Sequence, residues 1–237
     1  MNPEYGEIFS QRGHPYHAAM QAFPDARAAE FDALFAATPL RDGERILDLP
    51  AGGGYLGRRL GARARVTSVE ITDGFDRAIP IIDPGDLSML RGHDRATCVA
   101  ALHHFEDAPE FLARLARTIA PGGLLHIADV AAHSPLGAFL DGFVGRYNTT
   151  GHAGRYLPTE PAHYAPLGRV LRCAEVPCPW RFADEAGLLA FCDTLFGLVD
   201  CPPAELREAL QRQVGIRATR AGVELDWRLL YVDIAVD

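Results

Sequence analysis

The segment Ile46-Leu-Asp-Leu-Pro-Ala-Gly-Gly-Gly-Tyr-Leu-Gly57 constrains the fold more than any other part of the chain. An apolar run containing Asp48 passes into three consecutive glycines, Gly52 to Gly54, and then into a helix-like stretch that continues through Arg58, Arg59 and Leu60. A glycine turn between a strand and a helix lets backbone N–H groups approach a ligand with no Cβ in the way. Gly52, Gly54 and Gly57 satisfy G-x-G-x-x-G, a pattern that several nucleotide-binding folds share.

Around this turn, strand-like and helix-like segments alternate, which predicts βαβ units and a parallel sheet. Strands are expected at 45–49, at 65–70 ending in Glu70, at 78–83, at 96–100 and at 124–130. Between the last two, Asp107 is a good N-cap and Pro109 suits a first turn, so a helix is expected over 109–120, stopped by Pro121-Gly122-Gly123. Residues 1–40 read as helical, with Ala29, Phe31, Leu34 and Phe35 forming an apolar stripe. Beyond residue 130 the pattern blurs. Residues 131–165 read as a loop-and-helix insertion, 169–182 as holding a strand, 183–212 as helices broken at Cys201-Pro202-Pro203, and 223–236 as one long final strand.

Composition removes several chemistries. All 23 basic residues are arginine, so neither a lysine Schiff base nor a phosphate loop ending in Gly-Lys is available. A net charge of −8 disfavours nucleic acid as a partner. The 5 cysteines contain no C-x-x-C, and no histidine pair has zinc-finger spacing, so no metal site is expected. With no apolar leader or membrane-length apolar run, the chain reads as cytoplasmic, with no membrane partner, and a homodimer is left open.

Asp48 at the end of the first strand, Glu70 at the end of the second, and the stretch Ala100-Ala-Leu-His-His-Phe-Glu-Asp-Ala-Pro109 leading to Pro121-Gly-Gly together resemble the class I S-adenosylmethionine (SAM)-dependent methyltransferases, in the small-molecule branch with a Leu-His-His motif. The resemblance covers residues 45–130 well and the ends loosely. It implies an α/β fold with a Rossmann-like, seven-stranded, mostly parallel sheet and helices on both faces. A single domain over 1–237 is expected, made of an N-terminal helical cap (1–40), a cofactor core (41–130), and a substrate-side insertion with sheet completion (131–237). The cofactor implied is S-adenosyl-L-methionine.

Carried over residue by residue, Glu70 would accept both ribose hydroxyls, with Ile71 beside it. Asp48, Pro50, Ala51, Gly52 and Gly54 would form the first motif. Pro50 stands where the family commonly has glycine, and so lacks one backbone N–H. Asp86 would take the adenine amine, with Leu87 beside the ring and Asp83 as a rival. Ala100 and Ala101 would present main chain to the methionine amino group, and Arg12 would pair with its carboxylate.

For the chemistry, a base is needed only if the acceptor must lose a proton. His103, with His104, follows the fourth strand at the ligand-facing end of the sheet; packing within the motif is the competing role. His17 and Tyr16 lie in the capping segment, and Tyr147 belongs to a repeated Gly-Arg-Tyr (145–147 and 154–156) that could hold a substrate. His103, His17 and Tyr147 are therefore the candidate catalytic residues. A methyl transfer to O, N or C of a small metabolite is the expectation. A nicotinamide-dependent oxidoreductase using the same glycines, or a related binding protein without turnover, stays open.

Overall fold

The computed structural model describes residues 4–237. Its centre is a six-stranded sheet in the order β2-β1-β3-β4-β9-β5. β1 (Arg45–Asp48) lies between β2 (Arg65–Ser68) and β3 (His93–Val99), and pairs with both in parallel. β4 (Ile119–Asp129) continues the parallel set beside β3. β9 (Arg228–Ala235) is antiparallel to both β4 and β5 (Arg169–Pro177) and is buried over nearly its whole length.

The chain leaves β1 for β2 on one side and then crosses back over β1 to β3. Loops after β1 and β3 therefore splay apart, which opens a crevice at the carboxyl ends of these strands. Asp48 sits at that edge, in register with Thr97 of β3.

Several expectations change. The sheet has six strands rather than seven, because residues 78–83 form no strand and keep only a bridge between Glu70 and Ile81. Pro80 interrupts this stretch and Pro84 follows it; proline has no N–H for a ladder, and turns anchored by Asp83 and Asp86 hold the backbone instead. The helix expected over 109–120 is α4 (Ala108–Ala116), capped as anticipated by Asp107 accepting from the Glu110 N–H at 2.9 Å. Pro121-Gly122-Gly123 does not stop that helix. It lies inside β4, where His93 pairs with Ile119 but Arg95 with Leu124, so residues 120–123 bulge from the ladder. The single closing strand is instead two, β8 (Gly222–Leu225) and β9. β8 joins β6 (Trp180–Phe182) and β7 (Ile216–Thr219) in a separate three-stranded sheet.

The helical cap is α1 (Tyr5–Ala22) and α2 (Ala28–Leu34). α1 meets the loop after β2 backbone to backbone: a Cβ on Gly13 would stand 2.5 Å from the Gly74 carbonyl carbon, and one on Gly74 would stand 1.8 Å from the Phe9 carbonyl oxygen. Only glycine at both positions permits this approach. α1 also packs against α7 (Glu185–Phe196), which follows the insertion. α2 is anchored by Glu30, which is fully buried. Its carboxylate accepts from the Arg27 guanidinium and from Trp180 Nε1, while its carbonyl accepts the Tyr231 hydroxyl at 3.0 Å. No helix among the described residues is long and apolar enough to cross a membrane.

Truncating Glu30 would strand a buried guanidinium and an indole N–H. Glu30→Ala should therefore lose about 3–5 kcal/mol of stability, read as a lowered urea midpoint. A loss within the range of ordinary surface changes would mean that the Arg27–Glu30–Trp180 clamp does not hold the cap.

Candidate functional site

Two chambers meet at the crevice. The first holds about 450 Å³ of empty space under the glycine loop, lined by Asp48, Pro50, Ala51, Gly52, Ala100 and Ala101, and roofed by Tyr5, Phe9 and Tyr16 of α1. The second, about 520 Å³, is lined by Arg12, His103, His104, His152, Leu195, Phe196 and Trp227. Phe9, Tyr16, Arg27 and Ala100 belong to both walls. Ala100, whose N–H donates to the Ala128 carbonyl at 2.7 Å, adopts a left-handed φ of 50°. Such a conformation costs a residue with a Cβ on the order of 1–3 kcal/mol and collects at ligand sites.

The loop itself is built for close approach. Gly54 takes φ 74° at the start of α3 (Tyr55–Leu60), and a Cβ there would meet Ile79 at 2.9 Å. Glu70, only 1% exposed, accepts from the Gly52 N–H at 2.6 Å, the Ile71 N–H at 2.7 Å and the Tyr5 hydroxyl at 3.1 Å. Burial raises its pKa to about 7 against those three donors. Asp48 accepts the Thr97 hydroxyl at 2.9 Å, and burial raises its pKa to about 7 as well.

Of the residues expected around a cofactor, Asp48, Pro50, Ala51, Gly52, Ala100 and Ala101 line the first chamber. Gly54, Glu70 and Ile71 form its supporting turn and strand end. Arg12 does not. It is buried in the second chamber, where its Nη2 donates to the Phe196 carbonyl at 3.0 Å and its Nε has no partner among the described residues. Burial lowers its pKa to about 10. Asp86 is exposed and accepts the Ser88 N–H at 2.9 Å. With Leu87 it lines a separate cleft beside Arg91, Arg114 and Arg117.

The catalytic candidates separate in the same way. His103 lines the second chamber, its Nδ1 2.7 Å from Oδ1 of the fully buried Asp129. His17 instead packs against the glycine loop. Its Nδ1 lies 3.0 Å from the Tyr55 hydroxyl and would be 2.2 Å from a Cβ on Gly53. Tyr147 lies outside both chambers, with its hydroxyl donating to the exposed Glu205 at 2.5 Å. The other tyrosine of the repeat, Tyr156, is the one near the chamber, stacked 6.1 Å from His103 and donating to Asp141.

The structure also brings together three histidines that sequence spacing does not tie to one another. His103 and His104, from the turn Leu102–His104, meet His152 from the insertion, with one ring nitrogen of each within 4.8 Å of the others. Burial and neighbouring imidazoles lower the pKa of His152 to about 4 and that of His104 well below the usual histidine range, so both are neutral. Sequence offered one usable signal for this site, the acid Asp129 at a strand's carboxyl end. His152 had none, since no spacing ties it to the Leu-His-His turn.

Comparison with known proteins bears on this geometry. The profile of a methyltransferase-domain family matches residues 19–184. An uncharacterized protein of a Synechococcus strain is 36% identical over 103 residues, covering 35% of this chain and 24% of that protein. The chain thus matches only about a quarter of that relative's length. Among solved structures, the YcgJ protein of Bacillus subtilis superposes with a TM-score of 0.58 at 13% identity, over 86% of this chain and 96% of its own. A Haemonchus contortus phosphoethanolamine N-methyltransferase 2, solved with phosphomonomethylethanolamine and S-adenosylhomocysteine, does so with a TM-score of 0.61 at 12% identity, over 98% of this chain and 60% of its own. These two share the fold.

Asp48 and Glu70 set a pH dependence. Between about pH 4 and 7 the folded chain keeps protons on both carboxyls that the unfolded chain releases, so stability falls as pH rises, by about 1.4 kcal/mol per pH unit for each group inside that window. In urea unfolding without ligand, wild type should lose stability relative to Asp48→Asn on going from about pH 4.5 to 7.5. A pH-independent difference between the two proteins would contradict the raised pKa.

Proposed function

Because the chain belongs to this methyltransferase-domain family, we propose that it transfers a methyl group from S-adenosyl-L-methionine to an O, N or C atom of a small molecule held in the histidine-lined chamber. The observation that carries the reading is the shared wall at Ala100. A cofactor over the glycine loop and an acceptor beside His103 would face each other across it, and in-line displacement needs that opposition.

The residues of the first chamber fit the cofactor. Gly52 and Gly54 leave main chain bare beneath it, Asp48 and Ala51 border it, and Ala100 and Ala101 offer backbone to its amino-acid end. Glu70 suits the ribose. A carboxylate has about four acceptor positions, and Gly52, Ile71 and Tyr5 use three. Two ribose hydroxyls would therefore require Tyr5 to withdraw, which makes α1 a cap that yields on binding.

Bound SAM supplies an activated methyl group. The chain aligns, encloses and handles the proton. Asp129 accepts from His103 Nδ1 and thereby leaves the Nε2 lone pair as a base for an acceptor that carries a proton. The Arg12 guanidinium would favour an acceptor with an anionic group, and Phe196 and Trp227 would pack its apolar part. Cap, core and insertion act as one unit in this reading. Neither nucleic acid nor a membrane is needed as a partner, and a cytoplasmic setting suits the five free cysteines.

Calorimetric titration with S-adenosylhomocysteine and, separately, NAD tests the assignment. S-adenosylhomocysteine should bind, and Glu70→Ala should weaken it by about 1–3 kcal/mol; binding of NAD alone would overturn the reading. His103→Ala should leave that affinity intact and lower turnover by about 10²-fold or more on an acceptor that must be deprotonated. Unchanged turnover would reduce His103 to packing.

A further inference from the structure

We propose that His103, His104 and His152 form a binding site for a divalent transition-metal ion of the zinc class, open on one side to the second chamber. The site stands on its own geometry, while its role, holding the donor atom of the methyl acceptor, rests on the methyl-transfer reading above.

Three features point to an ion rather than to packed imidazoles. The first is convergence. Two ligands come from the turn after β3 and the third from the insertion, yet one nitrogen of each lies within 4.8 Å of the others. A tetrahedral ion with N bonds of about 2.0–2.1 Å holds its ligands about 3.3–3.4 Å apart, so ring shifts of roughly an ångström complete the site.

The second is the support behind the rings. His103 Nδ1 donates to Asp129 at 2.7 Å and His152 Nδ1 donates to Asp141 at 2.9 Å, which leaves Nε2 of both free. Both carboxylates are themselves held. Asp129 accepts the N–H groups of His103 and Val130, and Asp141, in the π-helical stretch Leu140–Val144, accepts from the Gly154 N–H and the Tyr156 hydroxyl. Carboxylate–histidine pairs of this kind orient metal-bound imidazoles and raise their basicity. The ring of His104 has no hydrogen bond among the described residues.

The third is charge. Asp129 and Asp141 stand behind the ligands; Arg12 faces them from the second chamber and Arg155 from a cavity that His104, Asp141 and His152 also line, while Arg27 is paired with Glu30. The two carboxylates offset the two arginines, so a dication calls for an anionic donor as its fourth ligand, which Arg12 favours. An all-imidazole set selects zinc-like ions over magnesium or calcium, and three histidines leave a coordination position open. With the ion bound, His103 would be a ligand and not a base; the ion would lower the pKa of the acceptor's bound donor atom, whose proton would leave to solvent before methyl transfer.

The test uses tag-free, full-length protein stripped with chelator, then titrated with Zn²⁺ by calorimetry and with Co²⁺ by visible absorption, with S-adenosylhomocysteine affinity measured on the same samples. One equivalent per chain and the intense d–d bands of four-coordinate cobalt are expected. Asp141→Asn should weaken binding about 10–100-fold, and His152→Ala by at least as much, with S-adenosylhomocysteine affinity retained as evidence of folding. Should His152→Ala fail that check, the wild-type cobalt spectrum decides. Absence of stoichiometric metal, octahedral cobalt bands, or binding indifferent to His152→Ala in a folded protein would overturn the site. S-adenosylhomocysteine bound without metal removes the site and leaves the methyl-transfer reading standing; metal bound without it does the reverse.

Discussion

The reversal of chain direction across β1 is the constraint on which the rest of the structure depends. With β2 on one side and β3 on the other, the loops leaving β1 and β3 cannot cover each other, so a gap persists at the carboxyl ends of the central strands. Two segments outside the sheet close that gap. α1 lies over it, seated on the bare backbone of Gly13 and Gly74, and the insertion after β4 walls its far side. Two rooms with one common wall result, rather than a single groove.

The polar groups facing these rooms are arranged unequally, and burial explains the difference. Glu70 and Asp48 are carboxyls held where ionisation is unfavourable, supported by backbone N–H groups and hydroxyls rather than by arginine. Such groups suit neutral hydroxyl donors. Across the wall the carboxylates stand one step back, behind His103 and His152, and the imidazoles present lone pairs to the cavity. On the proposed reading, the acceptors on one side serve a sugar and the imidazoles on the other serve as ligands or a base. Lysine is absent from the chain, and neither room depends on it.

Residues near the glycine loop were the most legible, because local chemistry dictates them. A turn that brings main chain to a ligand needs Gly52 and Gly54 wherever it occurs, and an acid closing a strand next to such a turn has few other reasons to be buried. Legibility failed where position depended on long-range packing. Asp86 is placed by the family resemblance, but it is exposed and lines a cleft separate from the glycine loop. Tyr147 and Tyr156 are indistinguishable in the repeated Gly-Arg-Tyr, and only the turn of the insertion sends one toward Glu205 and the other toward Asp141. Arg12 and His17 exchange their expected neighbourhoods because α1 runs across both rooms rather than over the loop alone.

Sequence alone determined the parallel core, the glycine turn and the acids at the ends of the first two strands, because hydrophobic period, capping and turn chemistry act over a few residues. The tertiary structure alone decided the second room. His152 reaches His103 and His104 only after the insertion has folded back over the sheet, and Asp141, on the π-helical stretch, meets His152 from the exposed side. Contacts between residues so far apart in the chain are set by packing, and packing leaves no periodic trace in the order of the amino acids.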